Sequence, residues 1–340
     1  MEFLALEWVG KPIWMWMGFL AIVLALLAFD LGVLNKDDKE MGIKESLVLS
    51  AFYIGFAIVY GGAIWWAYDA GHITTSDGTH AGLTYFTGFF IEKALSIDNV
   101  FVISLIFTYF AIPRKYQYRA LVWGIIAVIV LRGIMIGVGA ALVQEYDWIL
   151  YIFGAFLIAT GIKMLVVPES DPDVSKNPVV KFLNSRMRVT KELHGQKFFV
   201  REMDETKGKM VLAATPLFVA LVVINIADLI FAVDSVPAIF AITTDTFIVY
   251  TANIMAILGL RALYFALAAM VHRFEYLKYA LAIVLVFIGA KIFWNNIVGK
   301  LDPAISLGVT LALILGGILF SLWKTRGEEH GKDAKTQGAD

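Results

Sequence analysis

Two similar stretches of the sequence, EKALSIDNV at residues 92–100 and DLIFAVDSV at residues 228–236, combine apolar and acidic residues. Each stretch places two acidic residues six positions apart inside a long apolar segment. These four acids are Glu92, Asp98, Asp228 and Asp234. Because an unpaired charge at the centre of a membrane helix costs roughly 2.5–3.5 kcal/mol on insertion scales, we expect each acid to be protonated, paired or bound to a cation.

The sequence around these stretches is duplicated. Arg132 and Lys163 follow the first acid pair 31 positions apart, and Arg261 and Lys291 follow the second 30 positions apart. Each unit contains three predicted helices, and an odd number means that the two copies enter the membrane from opposite sides. The sequence therefore predicts an inverted-topology repeat of helices three to five and six to eight, with a site at the interface between the two units.

The composition is that of an all-α polytopic membrane protein. Apolar residues make up 59% of the 340 residues and charged residues 17%, against about 25% charged in a typical soluble domain. About 20 mostly apolar residues are needed to cross the hydrocarbon core. About nine stretches qualify as transmembrane helices: 13–34, 47–68, 82–110, 120–143, 148–167, 211–240, 247–271, 279–297 and 303–323.

This pattern divides the chain into six parts. They are two peripheral N-terminal helices (1–81), the first three-helix repeat (82–167), a cytoplasmic basic loop (168–210), the second repeat (211–297), a ninth helix (298–324) and a disordered cytoplasmic tail (325–340). Lys and Arg are concentrated in the odd-numbered connections and the tail. This bias predicts a bacterial inner-membrane protein with its N-terminus outside and its C-terminus cytoplasmic.

Several functional classes are disfavoured. The net charge of −1 argues against nucleic-acid binding. The chain contains no cysteine, which excludes disulfides, thiolate metal sites and cysteine nucleophiles. None of the five histidines lies inside an apolar run, and no Walker motif is present. We expect no enzymatic activity and no prosthetic group; the expected partners are the lipid bilayer, a divalent cation and possible membrane proteins.

The acids and their polar neighbours form an all-oxygen ligand set, which suits Mn²⁺, Mg²⁺ or Ca²⁺. The candidate metal ligands are Glu92, Asp98, Asn99, Asn225, Asp228, Asp234 and Ser235. Asp30 is a candidate for ion entry. The expected structural charge partners are Lys93, Arg132, Lys163, Arg261 and Lys291. We also predict a local unwinding near Ser96–Asn99 and another before Pro237, which would free backbone carbonyls as ligands.

At these residues the chain resembles the TerC family of integral membrane proteins, and within it the Alx-like branch. The motifs are FTG (86–88), EKALSIDNVFV (92–102), FFVR (198–201), ATPL (214–217), DLIFAVDSVPA (228–238) and AILGLRALYF (256–265). The resemblance implies Mn²⁺ export or metal homeostasis, with the four acids handling the metal. The family usually has Glu where this chain has Asn225, which retains an oxygen ligand but removes one negative charge.

The leading hypothesis is a secondary transporter that exports a divalent metal, foremost Mn²⁺, with protons returning through the same carboxylates. The alternative is a factor for membrane-protein assembly or envelope stress, including tellurite or alkaline-pH resistance, without transport. An intramembrane aspartyl protease using Asp98 and Asp234 is disfavoured because Ile97 and Val233, and not the residues typical of such enzymes, precede the two aspartates.

Overall fold

The computed structural model describes most of the chain, and nearly all of it is helical. The described residues are 7–8, 10–32, 42–69, 78–146, 148–167, 177–190, 192–204, 209–268, 274 and 276–337. The helices are α1 (Ile13–Gly32), α2 (Ile43–Asp69), α3 (Gly78–Tyr109), α4 (Arg114–Glu145), α5 (Ile149–Val166), α6 (Pro178–Arg186), α7 (Pro216–Phe240), α8 (Thr246–Leu258), α9 (Leu260–Leu267), α10 (Leu277–Ile297) and α11 (Pro303–Gln337). The strands are β1 (Glu7–Trp8), β2 (Lys11–Pro12), β3 (Phe199–Asp204) and β4 (Lys209–Ala214), paired antiparallel as β1–β2 and β3–β4.

Seven of the described helices are long and apolar enough to cross a membrane, namely α1, α2, α4, α5, α7, α10 and α11. The chain is therefore an all-α polytopic membrane protein. Two of the nine predicted spans differ from these seven. Helix α3 has the necessary length, 32 residues, but contains Glu92, Lys93 and Asp98, and the predicted span at 247–271 is divided at Gly259. The count of nine stays a prediction.

The predicted unwinding of the two acidic helices is wrong. Helix α3 is continuous from Gly78 to Tyr109, and α7 continues through Pro237 to Phe240. The Ser96 hydroxyl donates to the Glu92 carbonyl oxygen (2.7 Å), so its polar group is satisfied inside the helix. Pro237 lies in the last turn of α7, where its missing N–H removes the helical hydrogen bond to the Val233 carbonyl without ending the helix before Phe240.

The backbone break occurs instead between α8 and α9. Helix α8 has 13 residues, about 20 Å, which is shorter than the hydrocarbon core. At its first turn the Asp245 carboxylate accepts from the backbone N–H groups of Phe247 (3.1 Å) and Ile248 (3.4 Å). At its last turn the Lys93 ammonium donates to the Ala256 carbonyl oxygen (3.1 Å). The break is thus stabilised by a buried cation at the negative end of the α8 dipole.

Three pairings between helices position the core. Helix α3 packs against α8, α4 packs against α7, and α5 packs against α10. In each of the first two pairs, the first helix of one predicted unit contacts the second helix of the other.

Helices α5 and α10 approach closely at glycine residues. A Cβ added at Gly161 would lie 2.6 Å from the Ala282 carbonyl oxygen, and one added at Gly289 would lie 2.6 Å from the Gly154 carbonyl oxygen. If the two helices are aligned by adding 128 to the residue numbers of α5, Gly161 corresponds to Gly289 and Gly154 corresponds to Ala282. Exchanging the corresponding residues turns the first contact into the second. The two contacts are therefore equivalent under exchange of the aligned segments of α5 and α10.

The segment between α5 and α7 has more structure than a loop. Helix α6 begins after Asn177, whose side chain accepts from the Val179 N–H (2.9 Å), and its Val180 and Leu183 side chains are buried in the core. The hairpin β3–β4 follows, so the predicted start of the second unit at residue 211 falls inside a strand.

At the C-terminus, α11 extends to Gln337, whereas the sequence predicts a disordered tail from residue 325. No proline lies in that polar segment to end the helix.

Candidate functional site

The centre of the bundle contains a buried arginine between two carboxylates. Arg132 of α4 has 1% of its surface exposed. Its Nε and Nη2 atoms donate to the two carboxylate oxygens of Asp228, each at 3.2 Å, which is a bidentate arrangement. Its Nη1 atom donates to a carboxylate oxygen of Glu92. Two acids from different helices, α3 and α7, are therefore held by one guanidinium.

Two neutral side chains complete this cluster. The Arg132 Nη1 atom also donates to the Ser235 hydroxyl (3.3 Å) and the Asn253 amide oxygen (3.1 Å). The Asn253 amide nitrogen donates to the second carboxylate oxygen of Glu92 (3.1 Å). Asn253 thus contacts both members of the Arg132–Glu92 ion pair from the short helix α8.

The cluster is not electrically balanced when all three groups are ionised. Two carboxylates and one guanidinium leave one negative charge in an environment where electrostatic interactions are strong. Such a site attracts a proton or a cation. Its carboxylate, amide and hydroxyl oxygens are the ligand types that hard divalent cations prefer.

Asn225 provides a further oxygen near this cluster. Its amide nitrogen donates to the Leu221 carbonyl oxygen (2.9 Å), while its amide oxygen is buried and has no hydrogen-bond partner among the residues that the structure describes. Asn225 precedes Asp228 by three residues on α7, about 4.5 Å along the helix axis. An unused acceptor therefore lies within one helical turn of a site carboxylate.

The other predicted ligands lie apart from Arg132 or outside the described part. The half-buried Asp234 accepts from the Thr160 hydroxyl of α5 (3.3 Å), at a separate position from the Arg132 cluster. Asn99 is buried on α3. Asp98 belongs to α3 by its backbone, but its side chain lies outside the described residues, as does the side chain of Arg261.

The predicted charge partners have different contacts. Arg132 pairs with two acids, Glu92 and Asp228. Lys93 instead donates to the Ala256 carbonyl, and Lys291 donates to the Ser306 hydroxyl (3.0 Å). Lys163 is exposed on α5. Asp30, the candidate for ion entry, is buried in α1, and its backbone carbonyl accepts from the Tyr118 hydroxyl (2.9 Å).

Asn253 is the site residue that the sequence analysis does not identify. It is fully buried. The feature of the sequence that could have indicated it is a single amide side chain in the otherwise largely apolar segment 247–258. Among the side chains that the structure describes, no group of three or more His, Asp or Glu is arranged to hold a metal ion. Glu92 and Asp228 could bind a cation together only if the Arg132 guanidinium moves from between them.

Comparison with known proteins places these residues in a family. Residues 77–329 match the family model described as "Integral membrane protein TerC family". A protein named "Uncharacterized membrane protein" from Rickettsia bellii is 47% identical over 307 residues, covering 90% of this chain and 96% of that protein. An Escherichia coli K12 protein named "Putative membrane-bound redox modulator Alx" is 40% identical over 320 residues, covering 93% of this chain and 96% of that protein. No solved structure matches the chain.

Proposed function

The chain belongs to the TerC family of integral membrane proteins, and we propose that it is a secondary transporter that exports a divalent metal ion, foremost Mn²⁺. One observation carries the proposal. Glu92 and Asp228, the first acids of the two duplicated motifs, converge on the same buried guanidinium. Buried ionisable residues inside a membrane protein are expensive and mark ion or proton pathways.

The proposal includes an inverted repeat, with α3–α5 as one unit and α7–α10 as the other. The exchanged pairings α3–α8 and α4–α7, and the equivalent glycine contacts of α5 and α10, support it. In such a protein the substrate site lies at the interface between the two units, and one unit moves against the other during transport. Glu92 and Asp228 come from different units, so such a movement would change the distance between them.

The ligand chemistry favours a hard divalent cation. Glu92 and Asp228 would supply carboxylates, and Asn225, Asn253 and Ser235 would supply neutral oxygens. Mn²⁺ accepts this oxygen set, whereas Cu⁺ and other soft ions prefer sulfur. The free amide oxygen of Asn225 would serve where the family usually has a glutamate, with one negative charge fewer.

Arg132 gives the site a defined ion-free state. Two buried carboxylates without a partner would be strongly unfavourable, and the guanidinium removes that cost when no ion is bound. A divalent cation that enters would compete with Arg132 for the same oxygens. This competition would weaken ion binding and so promote release on the other side of the membrane. Protons that return through the carboxylates would complete the exchange.

The proposed location is the bacterial inner membrane, with the N-terminus outside and the C-terminus cytoplasmic. The separate pair of Asp234 and Thr160 would lie on the path of the ion, as would Asp98. Asp30 keeps its proposed role in ion entry.

Total cell metal tests this function. A bacterium without its own Mn²⁺ exporters would carry the native chain, Glu92→Gln, Asp98→Asn or Asp234→Asn, and mass spectrometry would measure a panel of metals. We expect only the native chain to lower cell manganese. Thr87→Val is the matched control, since this buried hydroxyl donates to the Leu83 carbonyl of its own helix and should leave export unchanged.

The same experiment addresses the alternative. The Alx relatives carry a name that refers to redox modulation, and this chain has no cysteine to perform thiol chemistry. If the native chain is present in the membrane and manganese is unchanged, transport is wrong. The structured segment of α6 and β3–β4 then favours a role as an assembly partner for other membrane proteins, which copurification would test.

A further inference from the structure

The hairpin β3–β4 has an exposed face of unusual composition. In its antiparallel register Arg201 is opposite Leu212 and Met203 is opposite Met210. Directly opposed residues point to the same side of a sheet, and so do residues two positions apart. One face therefore presents four apolar side chains around a single arginine: Phe199, Met203, Met210 and Leu212, which are 40%, 62%, 60% and 65% exposed.

The middle of the opposite face is less exposed and contains smaller or polar residues. Val200, Glu202 and Val211 are partly buried, whereas Lys209, nearest the turn, is exposed. A hairpin surrounded by water normally has the reverse arrangement, with apolar residues inward and polar residues outward. The outward face therefore requires a non-aqueous partner.

The position of the hairpin identifies that partner. Strand β4 ends at Ala214, and the membrane-spanning α7 begins at Pro216. The Phe199 ring packs on the Phe218 ring in the first turn of α7, with centroids 4.5 Å apart. The base of the hairpin thus lies at the level where a spanning helix enters the bilayer.

The charge of the segment agrees with this position. Residues 177–215 contain eight Lys or Arg and four Asp or Glu, so the segment has a net charge of +4. Basic segments next to a spanning helix are attracted to anionic lipid headgroups. Arg201 can donate to a lipid phosphate while the apolar side chains around it contact acyl chains, as in other interfacial elements.

We propose that the exposed face of hairpin β3–β4 lies in the headgroup region of the protein's own bilayer, with Arg201 bound to the phosphate of an anionic phospholipid. This anchoring holds the segment before α7 against the membrane. Because α7 carries Asp228, the anchor also fixes the end of the helix that brings one acid to the site. The inference does not depend on which ion, if any, the protein transports.

The chain contains no cysteine, so single-cysteine labelling tests this placement directly. Met203→Cys and Leu212→Cys would carry the environment-sensitive dye NBD on the apolar face, and Glu202→Cys would carry it on the opposite face as the matched control. The full chain would be reconstituted into vesicles of phosphatidylethanolamine and phosphatidylglycerol. We expect doxyl-labelled phospholipid to quench most of the fluorescence at 203 and 212 and much less at 202.

Arg201 provides a second comparison on the Met203→Cys background. Arg201→Glu should largely abolish quenching by doxyl-lipid in phosphatidylglycerol vesicles, whereas Arg201→Lys should retain it. In vesicles of phosphatidylcholine alone, the difference between these two variants should become small. Thermal unfolding of each labelled protein verifies that the fold is kept.

Three results would overturn the proposal. Equal quenching at 202 and 203 would remove the asymmetry between the faces. Quenching of the 203 and 212 labels by aqueous iodide, with no effect of doxyl-lipid, would leave the face in water and available to a soluble protein. Pyrene excimer emission from Met203→Cys would instead identify a second copy of the chain as the occupant.

Discussion

Arg132 carries one positive charge against the two carboxylates that it contacts, and it is almost completely inaccessible to solvent. Breaking a buried ion pair by removing one partner typically costs about 3–5 kcal/mol, because the remaining charge has no compensation. Replacing all partners by neutral groups costs much less. The stability of the cluster therefore depends on every buried charge having an opposite charge beside it, more than on any single contact.

We expect Arg132→Met to lower the free energy of unfolding by about 3–5 kcal/mol, since Glu92 and Asp228 would remain buried without their cation. Unfolding in sodium dodecyl sulfate measures this change. Combining Arg132→Met with Glu92→Gln and Asp228→Asn should recover a large part of the lost stability. A triple variant that is no more stable than Arg132→Met would show that the ion pairs are not what stabilises the centre.

Asn253→Val should destabilise the protein by about 1–3 kcal/mol, because it removes the amide contact to Glu92 and leaves a buried carboxylate oxygen without its donor. The matched control is again Thr87→Val, whose lost hydrogen bond lies within one helix and should cost about 0.5 kcal/mol. Equal effects of the two substitutions in detergent unfolding would contradict the assigned role of Asn253.

At the scale of elements, the contact between α5 and α10 depends on glycine. Gly161→Ala and Gly289→Ala should each destabilise the protein by about 1–3 kcal/mol, since the new methyl group would overlap a backbone carbonyl of the facing helix. The two effects should be similar, because the two contacts have equivalent geometry. Unfolding in detergent measures both changes.

Gly137 is the matched control for these two positions. It also lies in a helix, α4, but a Cβ added there has no atom within 4 Å, so Gly137→Ala should be neutral or stabilising by about 0.5–1 kcal/mol. Destabilisation at Gly137 equal to that at Gly161 would mean that crowding between α5 and α10 is not the cause.

The sequence predicts where the spanning helices lie better than it predicts how they pack against one another. Long apolar runs predict spanning helices because a bilayer requires internally hydrogen-bonded segments of a set length. The break at Gly259 is missed, since a glycine inside an apolar run does not by itself stop a helix. The break depends on close packing, with Lys93 Nζ and Tyr53 Cβ each 2.9 Å from the site of a Cβ at Gly259.

The pairing within the site is likewise only partly predictable. Charge spacing indicates that Glu92 and Asp228 have a basic partner, but the sequence offers five candidate basic residues. The pairing of Arg132 with both acids depends on how α3, α4 and α7 pack together, a property that linear spacing does not contain. Asn253 is missed for the same reason, because an isolated amide has no partner until α8 packs against α3.

At the scale of the whole molecule, the site joins the two predicted repeat units. Glu92 and Arg132 belong to the first unit, and Asp228, Ser235 and Asn253 belong to the second. Every arrangement of the two units that separates α3 from α7 must therefore open this cluster. A cation or a proton must then replace part of the charge that Arg132 supplies, which couples the proposed movement to ion binding.

Transport is tested most directly by Mn²⁺ flux into vesicles that contain only the purified chain and a trapped Mn²⁺-quenched dye. We expect rapid quenching with the native chain and with Thr87→Val, and loss of most of the flux with Glu92→Gln or Asp228→Asn. We also expect Mg²⁺ or Ca²⁺ in excess to compete for the same oxygen ligands. No flux with the native chain would contradict transport, and full flux with both acid variants would contradict the site.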